Sequence, residues 1–443
     1  MDTEAGPGPV PYVPGTGRPA PEADPGLVAR WRSGGGELVD LLSQVREELG
    51  GVAAFRLGPA PTVLVTDPQA VRHVLAVCPE QYVKRSHRAR LLVGDGVLAA
   101  TGTAWKRQRR LLQSQFTGTG MRRYEHRITA AARTTAERWG AYARTGQTFD
   151  VGQEMHRFAL DAIWRSLTGH PLDDETEHEL SAVAAVGAAL PTLPADPTDA
   201  HNAVAADLAR IDTVARHAIE AARNGAAGPD GPGLLHVLID AATEQPEYTD
   251  RLIRDELVTL LAAGHETTAT TLTWLYLLLD RHPAAREHAL ADSADPARRR
   301  LAVQALVHET LRLYPSAWLL PRHATEDDTL AGYTVEAGTD ILICPYLTHR
   351  DPELWPGPEH FDPRRFLTPA ARPSHPGAYL PFGIGPRACL GLQFALREST
   401  TLLELLLPAY TLTFHSPPPK TSYGITVRPD GPTPATLEEA SLT

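Results

Sequence analysis

Cysteine is scarce in this chain, and the shortage is informative. The three cysteines, Cys78, Cys344 and Cys389, stand at spacings that match neither a zinc cluster nor a disulfide framework. A disulfide-stapled scaffold is thereby excluded and a reducing cytoplasm expected. Long hydrophobic runs are missing too. The longest, around Leu272–Leu279 and Leu402–Leu407, fall well short of the roughly 20 residues that cross a bilayer. Met1 to Pro21 is rich in Pro and Gly and has no basic stretch ahead of an apolar core, so a secretory leader is not expected. Positive charge is in deficit: 42 Lys plus Arg against 53 Asp plus Glu gives −11, which argues against a general nucleic-acid binder. No Gly-x-Gly-x-x-Gly follows a strand, so the chain carries no flavin- or nicotinamide-binding fingerprint, and any electrons it uses come from elsewhere. The expectation is a soluble, cytoplasmic protein with no nucleic-acid and no membrane partner.

What is present is an ordinary globular composition, 42% hydrophobic and 21% charged, without an internal repeat. Residues 1–25 read as an irregular tail, Leu38–Glu48 as a helix, and Gly51–Thr66 as a strand pair broken at Gly58–Pro61. From Asp67 to Leu279 helical stretches alternate with Gly/Pro punctuation. Within that span, Asp250–Asp280 reads as a single helix, about 45 Å long at the standard rise. Ala297–Tyr314 reads as another, stopped by Pro315. Short strands follow at Tyr333–Val335 and Asp340–Ile343, then a proline-rich loop, Asp351–Pro376. A last helix from near Leu390 to before Pro408 leads into a strand, Tyr410–His415, and residues 429–443 read as a frayed tail. The fold class is mainly α with a small β-rich part.

The densest chemical signal is Pro381–Phe382–Gly383–Ile384–Gly385–Pro386–Arg387–Ala388–Cys389–Leu390–Gly391. Three glycines and a proline (Pro386) in so short a span imply a fixed, tight loop, with a lone cysteine where a helix starts. The helix N-terminus, the loop amides and Arg387 would favour a thiolate, the form that binds iron. A lone cysteine is ordinarily a small buried hydrophobe. Here Phe382, Gly385, Arg387, Cys389 and Gly391 form Phe-x-x-Gly-x-Arg-x-Cys-x-Gly, which resembles the haem-binding loop of the cytochrome P450 family.

Three further motifs extend the resemblance. Glu309 and Arg312 share a helix face in Glu-Thr-Leu-Arg, and Phe361-x-Pro-x-Arg365-Phe366 follows where the family has its second arginine. Alone the pair would read as a weak surface ion pair; in company, Glu309, Arg312 and Arg365 look like the family's structural charge network, expected to lock the cysteine loop. Ala263–Gly264–His265–Glu266–Thr267–Thr268 is a poor mid-helix sequence. A Thr hydroxyl bonding back to a carbonyl widens a helix, and Gly264 would leave space for dioxygen beside it. The similarity to the family's Ala-Gly-x-acid-Thr-Thr assigns Glu266 and Thr267 to proton delivery, with His265 structural. Trp105 and Arg109, four apart in Trp-x-x-x-Arg, resemble the element that meets haem propionates, and Arg322 and Arg387 match further propionate contacts.

The resemblance runs from Trp105 to Gly391 in preserved order. It implies the family's triangular, mainly helical fold around haem b, as one catalytic domain over residues 26–428, with Phe382, Gly383 and Gly391 also at the cofactor and Cys389 as the only protein ligand to iron. The implied reaction inserts one atom of O2 into a lipophilic small molecule, by hydroxylation or epoxidation. The resemblance places the substrate pocket at Leu91–Leu98, including Leu92, at Val183–Leu193, at Ala262 and Ala263, and at Ser316–Leu320 with Trp318. The Leu190–Pro197 stretch is similar to bacterial members that oxidise terpenoids in secondary metabolism. Electrons would come from NAD(P)H through a ferredoxin reductase and a ferredoxin docking on the basic run Lys106, Arg107, Arg109, Arg110, Arg122 and Arg123, and the protein would work as a monomer. Two other readings stay open: a haem-thiolate peroxygenase or isomerase, and a non-enzymatic haem sensor. The acid–Thr pair and the absence of a visible signalling domain weigh against them.

Overall fold

The sequence pattern that predicts one long helix produces it. Asp250–Arg281 runs for 32 residues, opened by Thr249, whose hydroxyl accepts the Leu252 amide. A computed structural model describes residues 17–84, 88–291, 295–417 and 419–440, and the chain divides into two compact units. The first is drawn from Met1–Arg85, Leu319–Leu354 and Ser374–Ala388, the second from Ser86–Trp318, Trp355–Pro373 and Cys389–Thr443.

The first unit is the β-rich part. Its five-stranded sheet runs in the order Val52–Phe55, Thr62–Val65, Asp340–Ile343, Leu320–Ala324, Tyr82–Val83. The first two strands are the predicted pair, antiparallel across the Gly58–Pro61 break. One face buries Val52, Val65, Val74, Ile341 and Leu380 in a single apolar cluster. The edge register pairs Val83 with His323, so continuing it by one residue sets Lys84 opposite Arg322. The expected N-terminal tail is partly built in. Met1 to Thr16 lie outside the described residues, but Arg18–Pro19 pair in parallel with Tyr333–Thr334, Glu22 bridges to Ala54, and a helix already starts at Pro25, capped by Asp24.

The second unit is mainly helical. The long helix lies among Val151–Thr168, Asp174–Ala189, Pro197–Arg223 and Pro296–Leu313, and most of its residues are buried. Leu392–Leu406 is the helix after the cysteine loop. The proline-rich segment is irregular apart from single 3-10 turns at Pro363–Phe366 and Pro369–Ala371. The expected C-terminal tail is instead sheet. Val427–Asp430 pairs with Lys420–Tyr423 in a hairpin, and Pro434–Glu439 is the central strand between Tyr410–Phe414 and Phe149–Asp150. Only Ala435 and Leu437 of that strand are buried. An alternation of two apolar residues among prolines and acids is too short to announce a strand from sequence.

Among the described residues no helix is long and apolar enough to cross a membrane.

Candidate active site

The cysteine loop is shaped by backbone. Gly383 and Gly385 take φ of 66° and 77°, a region that suits glycine, and a Cβ on Gly385 would overlap the Leu75 carbonyl. Leu75 lies in a π-helical turn, His73–Val77. Cys389 is accessible to solvent, yet enough protein surrounds it that burial pushes its thiol pKa up. Both observations describe a sulfur that lines a recess. The Gly391 amide donates to it and the Arg109 charge acts on it, each favouring the thiolate. The expected easy thiolate is therefore corrected: without a cation on the sulfur, desolvation outweighs both aids, and a bound metal ion is what would displace the proton.

Arg109 and Trp105 are half-buried one turn apart on the helix Gly102–Gln115, and Arg109 Nε also donates to Gln113 Oε1 at 3.2 Å. Arg322 and Arg387 belong to the first unit, where a third cation joins them that sequence reasoning missed. Burial, then the charges of Arg322 and Arg387, push Lys84 down to about 8. Burial and Arg387 likewise push Arg322 down to about 10. Nothing in the sequence links Lys84 to residues more than 230 positions away; only the strand register does.

The long helix is buried along most of its length but opens at its middle, where Ala262, Gly264, Glu266 and Thr267 are half-buried and Ala263 is exposed. Thr267 Oγ1 bonds back to the Ala263 carbonyl at 2.9 Å, as expected. The Thr267 carbonyl in turn takes the hydroxyls of Thr271 and Ser316, each at 2.9 Å. Gly264 has a packing role that the motif did not announce. A Cβ there would stand 3.1 Å from Ile163 Cγ1, so the glycine permits close packing with the helix Val151–Thr168. His265 is buried, with Nδ1 on the Leu261 carbonyl at 2.8 Å and its ring 6.0 Å from that of His156. Next to the window, Thr268 Oγ1 donates at 2.7 Å to Glu398, a fully buried carboxyl whose pKa burial raises well above its usual range. Glu398 follows Phe394 and precedes Leu402 at four-residue spacing; an acid on that apolar stripe was a readable signal.

The charge network assembles as its spacing suggested. Arg312 grips Glu309 with two hydrogen bonds of 2.8 Å, both side chains fully buried. Its remaining donors reach the carbonyls of Pro358 and His360, its guanidinium lies over Trp355, and Arg365 Nε stands 3.5 Å from Glu309. Burial raises the Glu309 pKa, opposed by Arg312, the Asp362 amide and Arg365. The network reaches Trp355, Pro358, His360, Asp362 and Arg365.

Of the residues predicted to line a pocket, Leu92 joins Val183, Val186, Leu190 and Leu193 in one apolar cluster, with Ala262 packed against it. Trp318 is buried apart from that cluster, its indole N–H on the Gly424 carbonyl at 2.8 Å. The turn after Leu92 is fastened to the long helix by two adjacent carboxylates: Asp255 accepts the Asp95 amide at 2.9 Å and Glu256 the Val97 amide at 3.0 Å. Burial raises Glu256 to about 7.

A mainly helical chain with an accessible thiol at a helix start and an opened mid-helix acid–Thr pair defines a class, the haem-thiolate oxygenases. The family model for cytochrome P450 matches residues 26–433, and the chain belongs to that family as a monooxygenase. The chain is 33% identical to cyclooctatin synthase of Streptomyces melanosporofaciens over 380 residues, 81% of this chain and 82% of the relative. It is 31% identical to cyclooctat-9-en-7-ol 5-monooxygenase of the same organism, covering 82% and 83%. Pentalenene oxygenase of Streptomyces avermitilis is 30% identical, covering 82% and 84%. Among solved structures, the cytochrome P450DA haem domain superposes with a TM-score of 0.83 at 25% identity, covering 96% of this chain and 98% of that one.

Membership brings haem, dioxygen, a lipophilic substrate and electrons supplied from outside the chain. The residues fit haem. The recessed Cys389 offers one sulfur donor, and among the described residues no group of three or more His, Cys, Asp or Glu is placed to hold a metal on its own.

Proposed function

We propose that this cytochrome P450 is a soluble, cytoplasmic monomer that oxidises a terpenoid in secondary metabolism, by hydroxylation or epoxidation, with residues 26–428 acting as one catalytic domain. Cys389 holds the iron, within a loop formed by Phe382, Gly383 and Gly391. Trp105, Arg109, Arg322 and Arg387, joined by Lys84, hold the carboxylates. Bound haem supplies dioxygen activation and the transfer of one oxygen atom to carbon.

The chain's own residues carry the proton. Glu266 takes it up from solvent, and Thr267, its hydroxyl steered by the Ala263 carbonyl, passes it inward. Ala262, Ala263, Leu92 and Trp318 exclude water and set substrate shape. Reduction uses NAD(P)H through a ferredoxin reductase and a ferredoxin, which meets the exposed basic residues Arg110, Arg122 and Arg123. The observation that carries this reading is the opening at Ala262–Thr267 in an otherwise buried helix, in the same unit as the cysteine. The substrate class is supported by two relatives whose names describe oxygenation of an alkene and an alkenol.

The test pairs two variants. Cys389→Ser loses the thiolate-type spectrum of the reduced carbon monoxide complex. Thr267→Ala keeps that spectrum but diverts NADPH into hydrogen peroxide, with about a tenfold or larger loss of product per NADPH, as removal of a proton-transfer group predicts. Full coupling in Thr267→Ala, or product formed as fast from hydrogen peroxide alone, would refute the proton path.

A further inference from the structure

Glu266 is held from outside its own helix. Its Oε1 accepts the Thr426 hydroxyl at 2.8 Å, across 160 residues of sequence. Thr426 is almost fully buried, 3% exposed, in the turn of the hairpin formed by Lys420–Tyr423 and Val427–Asp430. Nothing in the motif that identifies Glu266 points to it.

That turn is a fixed frame. The Trp274 indole donates to the Val427 carbonyl at 3.0 Å, the Val427 amide to the Ser316 carbonyl at 3.3 Å, and the Trp318 indole to the Gly424 carbonyl at 2.8 Å. Ser316 Oγ then reaches the Thr267 carbonyl. The hairpin turn and the Glu266–Thr267 segment are therefore positioned by one set of hydrogen bonds. The other oxygen, Oε2, faces the helix Asp174–Ala189 at Gly187, where a Cβ would stand 3.7 Å away, in ordinary van der Waals contact, so no side chain presses on it from that residue. The charged and titratable neighbours are His265 on the same helix, then His156 from Val151–Thr168, which Arg428 and Asp150 face.

We propose that Thr426 is a positioning residue for Glu266. By donating to Oε1 it selects one carboxylate orientation and leaves Oε2 as the oxygen that takes and releases the proton. Because the same turn holds Trp318, displacement of the hairpin by a substrate in the proposed pocket moves the acid as well. This inference rests on Glu266 being the acid of the proton path.

The test uses the haem-loaded protein and the isotope-edited infrared carboxylate stretch of Glu266 at one fixed pH, identified as the band absent from Glu266→Gln. Thr426→Val is expected to keep the haem spectrum, displace that band and lower product per NADPH several-fold, with limonene as the probe, as loss of a hydrogen bond to the carboxylate predicts. Thr426→Ser, which retains the hydroxyl, returns the band and the coupling to the wild-type values. An unmoved band in Thr426→Val, or equal displacements in the Val and Ser variants, overturns the proposal. Full coupling in Glu266→Gln would remove the acid itself, and with it the meaning of Thr426; a loss in Glu266→Gln alongside an unmoved band in Thr426→Val would sink the positioning role alone.

Discussion

Glu309, Arg312 and Arg365 are gathered in the second unit and Lys84, Arg322 and Arg387 in the first, and the two groups treat buried charge in opposite ways. In the first group each cation faces a carboxylate or a carbonyl, so desolvation is offset within the protein. In the second, burial and then the crowding of positive charge depress the proton affinity of Lys84 and Arg322. A cluster that completes itself serves the fold.

The comparison breaks most visibly at Arg312. Arg312→Leu leaves Glu309 buried and uncompensated, and a loss of about 3–5 kcal/mol is expected, read as a large fall in denaturation midpoint together with loss of haem. Survival of both would mean that the network is decorative.

Lys84→Met is expected to act in the other direction. In the haem-free protein Lys84 has its folded pKa lowered from 10.5 to about 8, so charging it costs stability that is lost as pH falls from 10.5 through about 8. The variant should abolish that slope, hold or raise haem-free stability, and weaken haem binding several-fold. In the wild type, haem binding near pH 8.5 should take up a proton, measurable as buffer-dependent binding heat; no uptake would separate Lys84 from the carboxylates.

The smallest effect is expected where cations are exposed. Arg107 is engaged by Glu247 at 3.1 Å, so Arg110→Glu with Arg123→Glu is the cleaner probe. A several-fold slower reduction by ferredoxin at low salt, converging with wild type at high salt, is expected. Equal rates at every ionic strength would move the docking face elsewhere.

How much of this was legible depends on the distance over which each signal acts. Cys389 and its loop, Glu309 with Arg312, and Glu266 with Thr267 are local patterns, and their resemblance to the family's motifs is what singled them out. The long helix was readable from its apolar content, and the Val52–Val65 strand pair from the turn residues at its break. Lys84 and Thr426 were not, because each gains its meaning from a pairing that only the folded backbone creates. Gly264 was only half legible: a missing side chain announces close approach without saying what approaches, and one neighbour is Ile163. The terminal strand Pro434–Glu439 escaped because its stability comes from two partners, Tyr410–Phe414 and Phe149–Asp150, rather than from its own composition.

The paired carboxylates Asp255 and Glu256 bind the turn after Leu92 by its amide hydrogens alone. Amides are common to every residue but proline, so the anchor restricts the turn only at Gly94 and Gly96, where a Cβ would overlap Asp255 and Thr259. An engineer seeking a new substrate range can randomise Leu91, Leu92 and Leu98 while the scaffold that presents them keeps its place, much as interchangeable bits fit one chuck.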